Sequence, residues 1–279
     1  MGIAAFRPAP IQVNGLGFPG TLGAQWYDYL VADRYVVPPG TEHAYAEEIV
    51  RLPDCYRAGG PLRRSSTAVP ERAAYGLPPE AIVLCCFNPA SKITAPMFAS
   101  WLRVLAAVPD TLLWLQDDNA FAVSSLRRRA AQHRIDPQRL VFAPQRSPDE
   151  DLARYCRADL AIDTFPCTSN STARDALWMG CPLVTLAGDT FASRVATSLL
   201  ANAGLAELSA VSPLRYEELL IDLARNPARR DALRNKLRHE SQNAPLFDMP
   251  RFVRNLERAY ARMAANAAAG GAPKGFDLR

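Results

Sequence analysis

A cluster of hydroxyl, amide and charged side chains is the best candidate in the sequence for chemistry. The run from Asp163 to Thr172 ends in Thr-Ser-Asn-Ser-Thr, next to an amphipathic segment that we predict to be a helix. A helix N-terminus offers free N–H groups and the positive end of a dipole, which suits a phosphate. Lys92 could add a positive charge, and Asp175 could accept hydrogen bonds from ribose hydroxyls. The alternative is plain capping, because Ser, Thr and Asn are preferred N-caps in any protein.

Short apolar runs precede the polar loops and predict the strands of a parallel sheet. Helical segments alternate with these runs, which is typical of an α/β, Rossmann-like, doubly wound sheet with helices on both faces. In such a sheet ligands bind at the carboxyl ends of the strands, where the loops 88–92, 143–148, 163–172 and 187–194 would meet. The predicted strands are 82–87, 111–115, 140–142, 160–162 and 182–186, and the predicted helices are 96–107, 121–134, 148–157, 171–179, 190–203, 214–225, 228–240 and 249–265.

Composition divides the chain into four stretches. The 279 residues, 49% of them hydrophobic, suffice for one large or two medium domains with real cores. We interpret residues 1–58 as strands and Gly/Pro-rich turns, 59–74 as a polar linker, 75–265 as the main domain with C-terminal helices, and 266–279 as a flexible tail.

Charge and cysteine content argue against several classes of protein. The formal net charge is only +4 and the basic residues are scattered, so we expect no nucleic-acid partner. None of the 6 cysteines forms a C-x-x-C pair, which gives no sign of a metal site. No signal-peptide pattern opens the chain, and no apolar run approaches the ~20 residues of a membrane span. We therefore expect a cytoplasmic, reducing environment and no contact with a membrane.

Other polar residues are weaker candidates. His43, His133 and His239 have no visible acid–base partner nearby in the sequence. Asp117 and Asp118 follow a predicted strand, but no third metal ligand is evident, so we interpret them as part of a solvated loop.

Five motifs occur in one order over nearly the whole chain: Arg7-Pro-Ala-Pro-Ile-Gln12 with Gly17-Phe-Pro-Gly-Thr21, Phe87-Asn with Lys92-Ile93, Asp163-Thr-Phe-Pro with the run from Ser171 to Leu186, the run from Gly188 to Ala196, and Ala244-Pro-Leu-Phe247. Together they resemble the protein O-GlcNAc transferase family. The resemblance implies the GT-B architecture of two Rossmann-like domains and metal-independent, inverting transfer of N-acetylglucosamine from UDP-GlcNAc to serine or threonine hydroxyls of proteins. It implies an acceptor protein as partner and no cofactor beyond the UDP-sugar donor.

The resemblance assigns the diphosphate and ribose contacts to four residues. Lys92 matches the lysine that holds the diphosphate, and it would be catalytic by stabilising charge on the departing UDP. Ser171 and Thr172 match a hydroxyl pair on the same group. Asp175 matches the aspartate that binds the ribose.

Further contacts to the donor also follow from the resemblance. Arg154 matches an arginine near the uracil, and Arg146 falls where a loop backbone reads the base. Gly17 and Pro19 belong to the turn that faces the sugar, and Asn88 belongs to the motif that carries the lysine.

Three positions depart from the family pattern. Asn170, a further expected donor contact, stands where the family has a histidine, Pro89 where it has a glutamine, and Pro148 where it has a lysine. Each change removes a contact or a charge.

The resemblance also predicts what these residues lack. The family's first Rossmann-like domain, with its active-site histidine and aspartate, should precede Arg7, and a TPR segment should precede that domain. We therefore expect residues 1–58 to be a remnant of the first domain, and donor binding to survive better than transfer. Two alternatives stay open: a non-catalytic protein that binds UDP or a UDP-sugar, and a protein similar to the UDP-sugar epimerases.

Overall fold

The computed structural model describes residues 2–58, 69–240 and 243–279. The strands are β1 (Val13–Asn14), β2 (Tyr29–Ala32), β3 (Glu48–Arg51), β4 (Ile82–Cys86), β5 (Thr111–Gln116), β6 (Leu140–Ala143), β7 (Leu160–Ile162), β8 (Leu183–Leu186), β9 (Ser209–Ala210) and β10 (Phe276–Asp277). The helices are α1 (Gly2–Ala5), α2 (Ala95–Ala107), α3 (Ala120–Gln132), α4 (Pro148–Ala153), α5 (Ser171–Trp178), α6 (Val195–Asn202), α7 (Pro213–Arg225), α8 (Pro227–Glu240) and α9 (Met249–Ala268).

The larger sheet has six parallel strands in the order β6-β5-β4-β7-β8-β9. This order confirms the predicted α/β, doubly wound sheet, and it reverses direction between β4 and β7. A reversal leaves a crevice at the carboxyl ends of the two strands, where ligands bind in folds of this kind. The edge strand β9 was not predicted, because two residues are too few to show a periodic pattern.

The helices of the larger unit cover both faces of its sheet because each carries an apolar stripe. In α2, the Thr94 hydroxyl accepts the backbone N–H of Met97 and starts the helix. The same helix buries Trp101, whose Nε1 donates to Tyr216 Oη of α7 at 3.0 Å. This hydrogen bond satisfies two polar groups in an otherwise apolar core.

The smaller sheet has four parallel strands in the order β1-β2-β3-β10, and its strand β2 is buried on both faces. Side chains alternate along β2: Tyr29 and Val31 pack with α9, whereas Leu30 and Ala32 join the core of the larger unit. The continuous apolar run Tyr-Leu-Val-Ala of β2 is thus explained by two different partners.

A buried carboxylate joins the smaller sheet to α6. Asp33, at the end of β2, accepts backbone N–H groups of Tyr35, Val36 and Tyr56, and the hydroxyl of Ser198 donates to it as well. Burial raises the pKa of Asp33 above its ordinary value, while these donors act in the opposite direction.

The prediction of a flexible tail over residues 266–279 is wrong. Helix α9 extends to Ala268, and β10 pairs with β3 at Val50 and Arg51. The backbone N–H of Leu278 donates to the carbonyl of Arg51 at 2.8 Å, and the Leu278 side chain is buried against α9. The glycine-rich composition gave no sign of this strand. The strand forms because α9 brings the chain back to the edge of the smaller sheet.

The prediction of a linker over residues 59–74 is wrong for its last part, whereas residues 59–68 lie outside the described residues. Residues Arg72–Tyr75 form a 3-10 turn, and Arg72 pairs with Asp159 at 2.7 Å. Arg157 also donates to the carbonyl of Pro70 at 2.8 Å. These bonds fasten the segment to the amino ends of the strands of the larger sheet, where a free spacer would make none.

We predict that Leu278→Ala lowers the free energy of unfolding by about 2 kcal/mol, because it removes buried methyl groups and leaves a cavity. The matched control is Leu214→Ala, since Leu214 is 66% exposed and Leu278 only 9% exposed. The control should change the same quantity by less than about 0.5 kcal/mol. Urea unfolding followed by tryptophan fluorescence measures both, and equal effects would contradict the packed tail.

Candidate functional site

A cavity of about 490 Å³ opens at the carboxyl ends of β4, β5 and β6, beside the first turn of α5. Its size falls within the roughly 300–1,000 Å³ of small-molecule pockets. Four predicted site residues line it: Arg146, Arg154, Thr172 and Asp175. The other lining residues are Phe87, Pro89, Gln116, Asp118, Gln145, Pro148, Asp151, Leu152 and Tyr155.

The loop that leads from β7 into α5 is organised by the fully buried carboxylate of Asp163. Its Oδ1 accepts the backbone N–H groups of Thr164 and Ser169, both at 2.8 Å, and the Ser169 hydroxyl at 2.5 Å. Its Oδ2 accepts the Thr185 hydroxyl from β8 at 2.6 Å. Burial raises the pKa of Asp163, and the four donors offset part of that effect.

Asn88 connects the end of β4 to this loop. Its amide nitrogen lies 2.6 Å from Ser169 Oγ and 3.1 Å from Thr164 Oγ1, and its amide oxygen accepts the Thr172 hydroxyl at 2.9 Å. The residue is buried and both polar atoms are engaged. The side chain of Asn88, a residue predicted to contact the donor, positions the start of α5 through these hydrogen bonds.

The N-terminus of α5 has no side-chain cap. Asn170 occupies the N-cap position, yet its side chain makes no capping hydrogen bond, and its Oδ1 is buried without a partner in the described part of the chain. Ser171 begins the helix and is exposed. The capping alternative therefore fails at α5, whereas at α4 Ser147 and Glu150 form a capping box.

Lys92 lies at the end of a 3-10 turn, Ala90–Lys92, that follows β4. Its Nζ is 3.4 Å from the backbone carbonyl of Thr168, in the loop that leads into α5. The expected meeting of the lysine and the serine/threonine loop is thus present. Asp118, interpreted from sequence as part of a solvated loop, is exposed but also accepts the backbone N–H of Ala90 and so holds the turn in place.

Arg154 forms one wall of the cavity and is almost fully buried. Its guanidinium lies 3.7 Å from the centre of the Phe87 ring, and its Nη2 donates to Gln116 Oε1 at 2.6 Å. Its Nη1 also lies 3.1 Å from Asp151 Oδ1. Burial lowers the pKa of Arg154, which an arginine tolerates while staying charged. Phe87 and Gln116 were not predicted as site residues. Their positions at the carboxyl ends of β4 and β5 could have indicated that they line the site.

Arg146 and Asp175 have looser surroundings. Arg146 is exposed, pairs with Glu150 at 3.3 Å and lies 6.0 Å from the centre of the Tyr75 ring. Asp175 Oδ1 accepts two hydrogen bonds from the neighbouring Arg174, at 3.0 and 2.7 Å. Both residues keep polar atoms that a ligand in the cavity could contact.

Gly17 and Pro19 lie on an exposed loop of the smaller unit and do not line this cavity. A side chain added to Gly17 would meet no atom within 4 Å, so the loop tip is open. The base of the loop is held by the buried Glu47, which accepts the N–H of Leu22 at 2.8 Å and the hydroxyl of Thr21 at 2.6 Å.

The loop after β8 supports the loop after β7. The Thr168 hydroxyl donates to the carbonyl of Ala192 at 2.7 Å, and a side chain at Gly188 would collide with Ser193 at 2.6 Å and with Phe165 at 2.9 Å. Gly188 is therefore required by the close approach of the two loops.

Two negative findings apply to residues 2–58, 69–240 and 243–279. These residues contain no group of three or more His, Cys, Asp or Glu side chains placed to hold a metal ion. None of their helices combines the length and the apolar character needed to cross a membrane.

Relatives of known sequence align with almost the whole chain. The probable UDP-N-acetylglucosamine–peptide N-acetylglucosaminyltransferase SEC of Arabidopsis thaliana is 37% identical over 99% of this chain and 29% of its own length. The probable UDP-N-acetylglucosamine–peptide N-acetylglucosaminyltransferase SPINDLY of Petunia hybrida is 35% identical over 94% of this chain and 28% of its own length. The chain thus spans less than a third of these curated relatives.

A solved structure and a family model agree with the sequence relatives. A mutant of the O-GlcNAc transferase of Thermobaculum terrenum is 32% identical, with a TM-score of 0.88 over 96% of this chain and 51% of the solved chain. The model of glycosyl transferase family 41 matches residues 2–63 and 57–256. The match covers the larger sheet, the cavity and most of the smaller unit, and the chain therefore belongs to glycosyltransferase family 41.

Proposed function

We propose that the chain binds UDP-GlcNAc and supplies the donor site of a glycosyltransferase that moves N-acetylglucosamine to serine or threonine hydroxyls of proteins. The observation that carries this proposal is the uncapped start of α5 next to Lys92, whose Nζ lies 3.4 Å from the carbonyl of Thr168. Free N–H groups, a helix dipole and a lysine together suit a diphosphate. The names of the two plant relatives support this sugar and a peptide acceptor.

The nucleoside would occupy the cavity. Arg154 is held rigidly by Phe87 and Gln116, and its Nε has no hydrogen-bond partner in the described residues. A fixed guanidinium donor suits the carbonyl oxygens of uracil. Arg146 lies at the cavity rim and Asp175 beside α5, which supports their assignment to the base and the ribose.

Transfer with inversion would form a bond between the acceptor hydroxyl oxygen and the anomeric carbon while the bond from that carbon to the diphosphate oxygen breaks, and the proton of the hydroxyl would pass to the departing diphosphate or to water. Negative charge then grows on the departing UDP. Lys92 and the N–H groups of the first turn of α5 are placed to stabilise this charge, and in this sense we propose Lys92 as a catalytic residue. The scheme uses no metal ion and no cofactor.

The wider setting is also part of the proposal. An acceptor protein and an upstream domain or TPR segment would complete the acceptor side of the site. The six cysteines are all free thiols, which supports a reducing compartment such as the cytoplasm.

A second candidate is a protein that binds the donor without transferring the sugar. It is favoured by Pro89 and Pro148, which both line the cavity at positions where the family resemblance has a glutamine and a lysine. A proline side chain supplies neither a hydrogen-bond donor nor a charge.

We predict that UDP binds with one site per chain in buffer that contains a chelator, because the proposed contacts come from side chains and N–H groups. Isothermal titration calorimetry with UDP and then UDP-GlcNAc measures the stoichiometry and the affinity. No detectable binding at millimolar UDP would contradict the donor site.

Lys92→Ala should weaken UDP binding about 10- to 150-fold, since a charge-assisted hydrogen bond contributes roughly 1.5–3 kcal/mol. Lys236→Ala is the matched control: Lys236 lies on α8, where its Nζ donates to the carbonyl of Gly204 at 2.5 Å. The control should bind UDP like the wild type. Equal affinities for the two variants would show that Lys92 does not contact the diphosphate.

Transfer separates the two candidate functions. The wild-type chain is incubated with radiolabelled UDP-GlcNAc and a pool of serine- and threonine-containing peptides. Label should enter the peptides slowly, at a rate proportional to the concentration of the wild-type chain. The Lys92→Ala variant should transfer no label. The expected rate is low because alignment of the acceptor supplies a large share of the barrier reduction, and the described residues provide few groups for it. UDP-GlcNAc binding with no peptide labelling, even when an upstream domain of a relative is added, would favour the binding protein.

A further inference from the structure

The carboxylate of Asp175 is held from one side by the residue that precedes it in the sequence. Arg174 donates to Asp175 Oδ1 twice, from Nε at 3.0 Å and from Nη2 at 2.7 Å. Two hydrogen bonds satisfy this oxygen, because each carboxylate oxygen has about two acceptor sites. The other oxygen, Oδ2, receives no hydrogen bond from the described part of the chain. Asp175 therefore has one oxygen engaged by the protein and one left for a ligand in the cavity that it lines.

This contact is unusual for two neighbours on a helix. Successive residues of an α-helix point about 100° apart, so side chains at positions i and i+1 do not normally face each other. Arg174 must bend along the surface of α5 to reach Asp175, and only 19% of its side chain and 27% of the Asp175 side chain are exposed. Arg174 does not line the cavity, whereas Asp175 does. Arg174 can therefore influence a ligand only through Asp175 or through its charge.

A second guanidinium group favours the same arrangement. Arg57, on the crossover from β3 to the larger unit, is half-buried, and burial lowers its pKa. The positive charge of Arg174 acts on this pKa in the same direction and the negative charge of Asp175 in the opposite one, which indicates that the three groups lie near each other. Asp175 thus compensates the repulsion between two cations, and this compensation stabilises its pairing with Arg174.

An aspartate that is already oriented binds hydroxyl groups more tightly than a mobile one. The two hydrogen bonds from Arg174 fix the rotamer and the plane of the Asp175 carboxylate before a ligand arrives. Without them, the side chain would have to be immobilised when the ligand binds. Immobilising one side chain lowers affinity by about 3- to 10-fold.

We infer that Arg174 is a positioning residue of the donor site: it orients the Asp175 carboxylate and leaves Oδ2 to accept hydrogen bonds from the ribose hydroxyls. The inference rests on the proposed function, which assigns the ribose to Asp175. Arg174 itself contacts no part of the ligand in this arrangement.

Calorimetric titration with UDP and with 2′,3′-dideoxy-UDP tests the inference. The wild type should prefer UDP by about 10- to 150-fold, because the analogue lacks the hydrogen bonds to a charged acceptor. Arg174→Met should lower this preference by about 3- to 10-fold. Both ligands carry the same diphosphate, so the ratio of their affinities is insensitive to a general loss of positive charge. Each variant is compared with itself, so partial loss of folding does not change the ratio either.

A double-mutant cycle shows whether the effect passes through Asp175. Asp175→Asn should lose most of the preference for UDP, and adding Arg174→Met to it should change the ratio no further. Arg128→Met is the matched control, because Arg128 is an exposed arginine on α3, and its ratio should equal that of the wild type.

Two outcomes would overturn the inference and leave the proposed function intact. One is an unchanged or increased preference in Arg174→Met, and the other is an equal effect of Arg174→Met with and without Asp175. A wild-type chain that binds UDP and 2′,3′-dideoxy-UDP equally would overturn the assignment of the ribose to Asp175, and the inference with it. A wild-type chain that binds neither ligand would overturn the proposed function itself.

Discussion

The buried carboxylate of Asp163 is the interaction on which the rest of the site depends. It lies at the end of β7 and takes hydrogen bonds from the loop that follows and from Thr185 on β8, while Ser169 relays the contact to Asn88 at the end of β4. Removing a charge from water is costly unless donors replace the water, and here four donors do so. The ends of β4, β7 and β8 are thereby linked through a single carboxylate. These links fix the position of the first turn of α5.

Rigid support of this kind distinguishes the residues that we propose to contact a ligand from the residues that position them. Asn88 and Asp163 are buried and saturated, so their effect on a ligand passes through Thr172 and the backbone of α5. In our proposal Arg154 has both roles, because stacking on Phe87 fixes its plane while part of its guanidinium remains without a hydrogen-bond partner in the described residues. A lysine could not replace it, since an ammonium group has no plane to stack. The cavity is therefore shaped before a ligand arrives.

Much of this arrangement could be predicted from sequence because it depends on local patterns. Apolar runs located β4 to β8, and the rule for parallel sheets then brought Lys92 and α5 to one edge. The direction of the Asn88 amide could not be predicted, since it is set by contacts with residues about 80 positions away, Ser169 among them. Strand β10 could not be predicted either, because two residues are too few to show a periodic pattern. Its pairing partner, β3, also lies far away in the sequence. The sequence thus predicted which loops lie at the same edge of the sheet. The orientation and the hydrogen-bond partners of each side chain depend on tertiary contacts.

The smaller sheet has a consequence for the order in which the molecule can be assembled. Its strands come from distant parts of the sequence, β1 to β3 from residues 13–51 and β10 from residues 276–277, and one face packs against α9. During synthesis the larger sheet, complete at residue 210, emerges from the ribosome before α9 and β10 are translated. Strands β1 to β3 therefore keep one apolar face uncovered until residues 249–277 have been made. In vectorial folding the smaller sheet, although it begins first, is completed after the larger one.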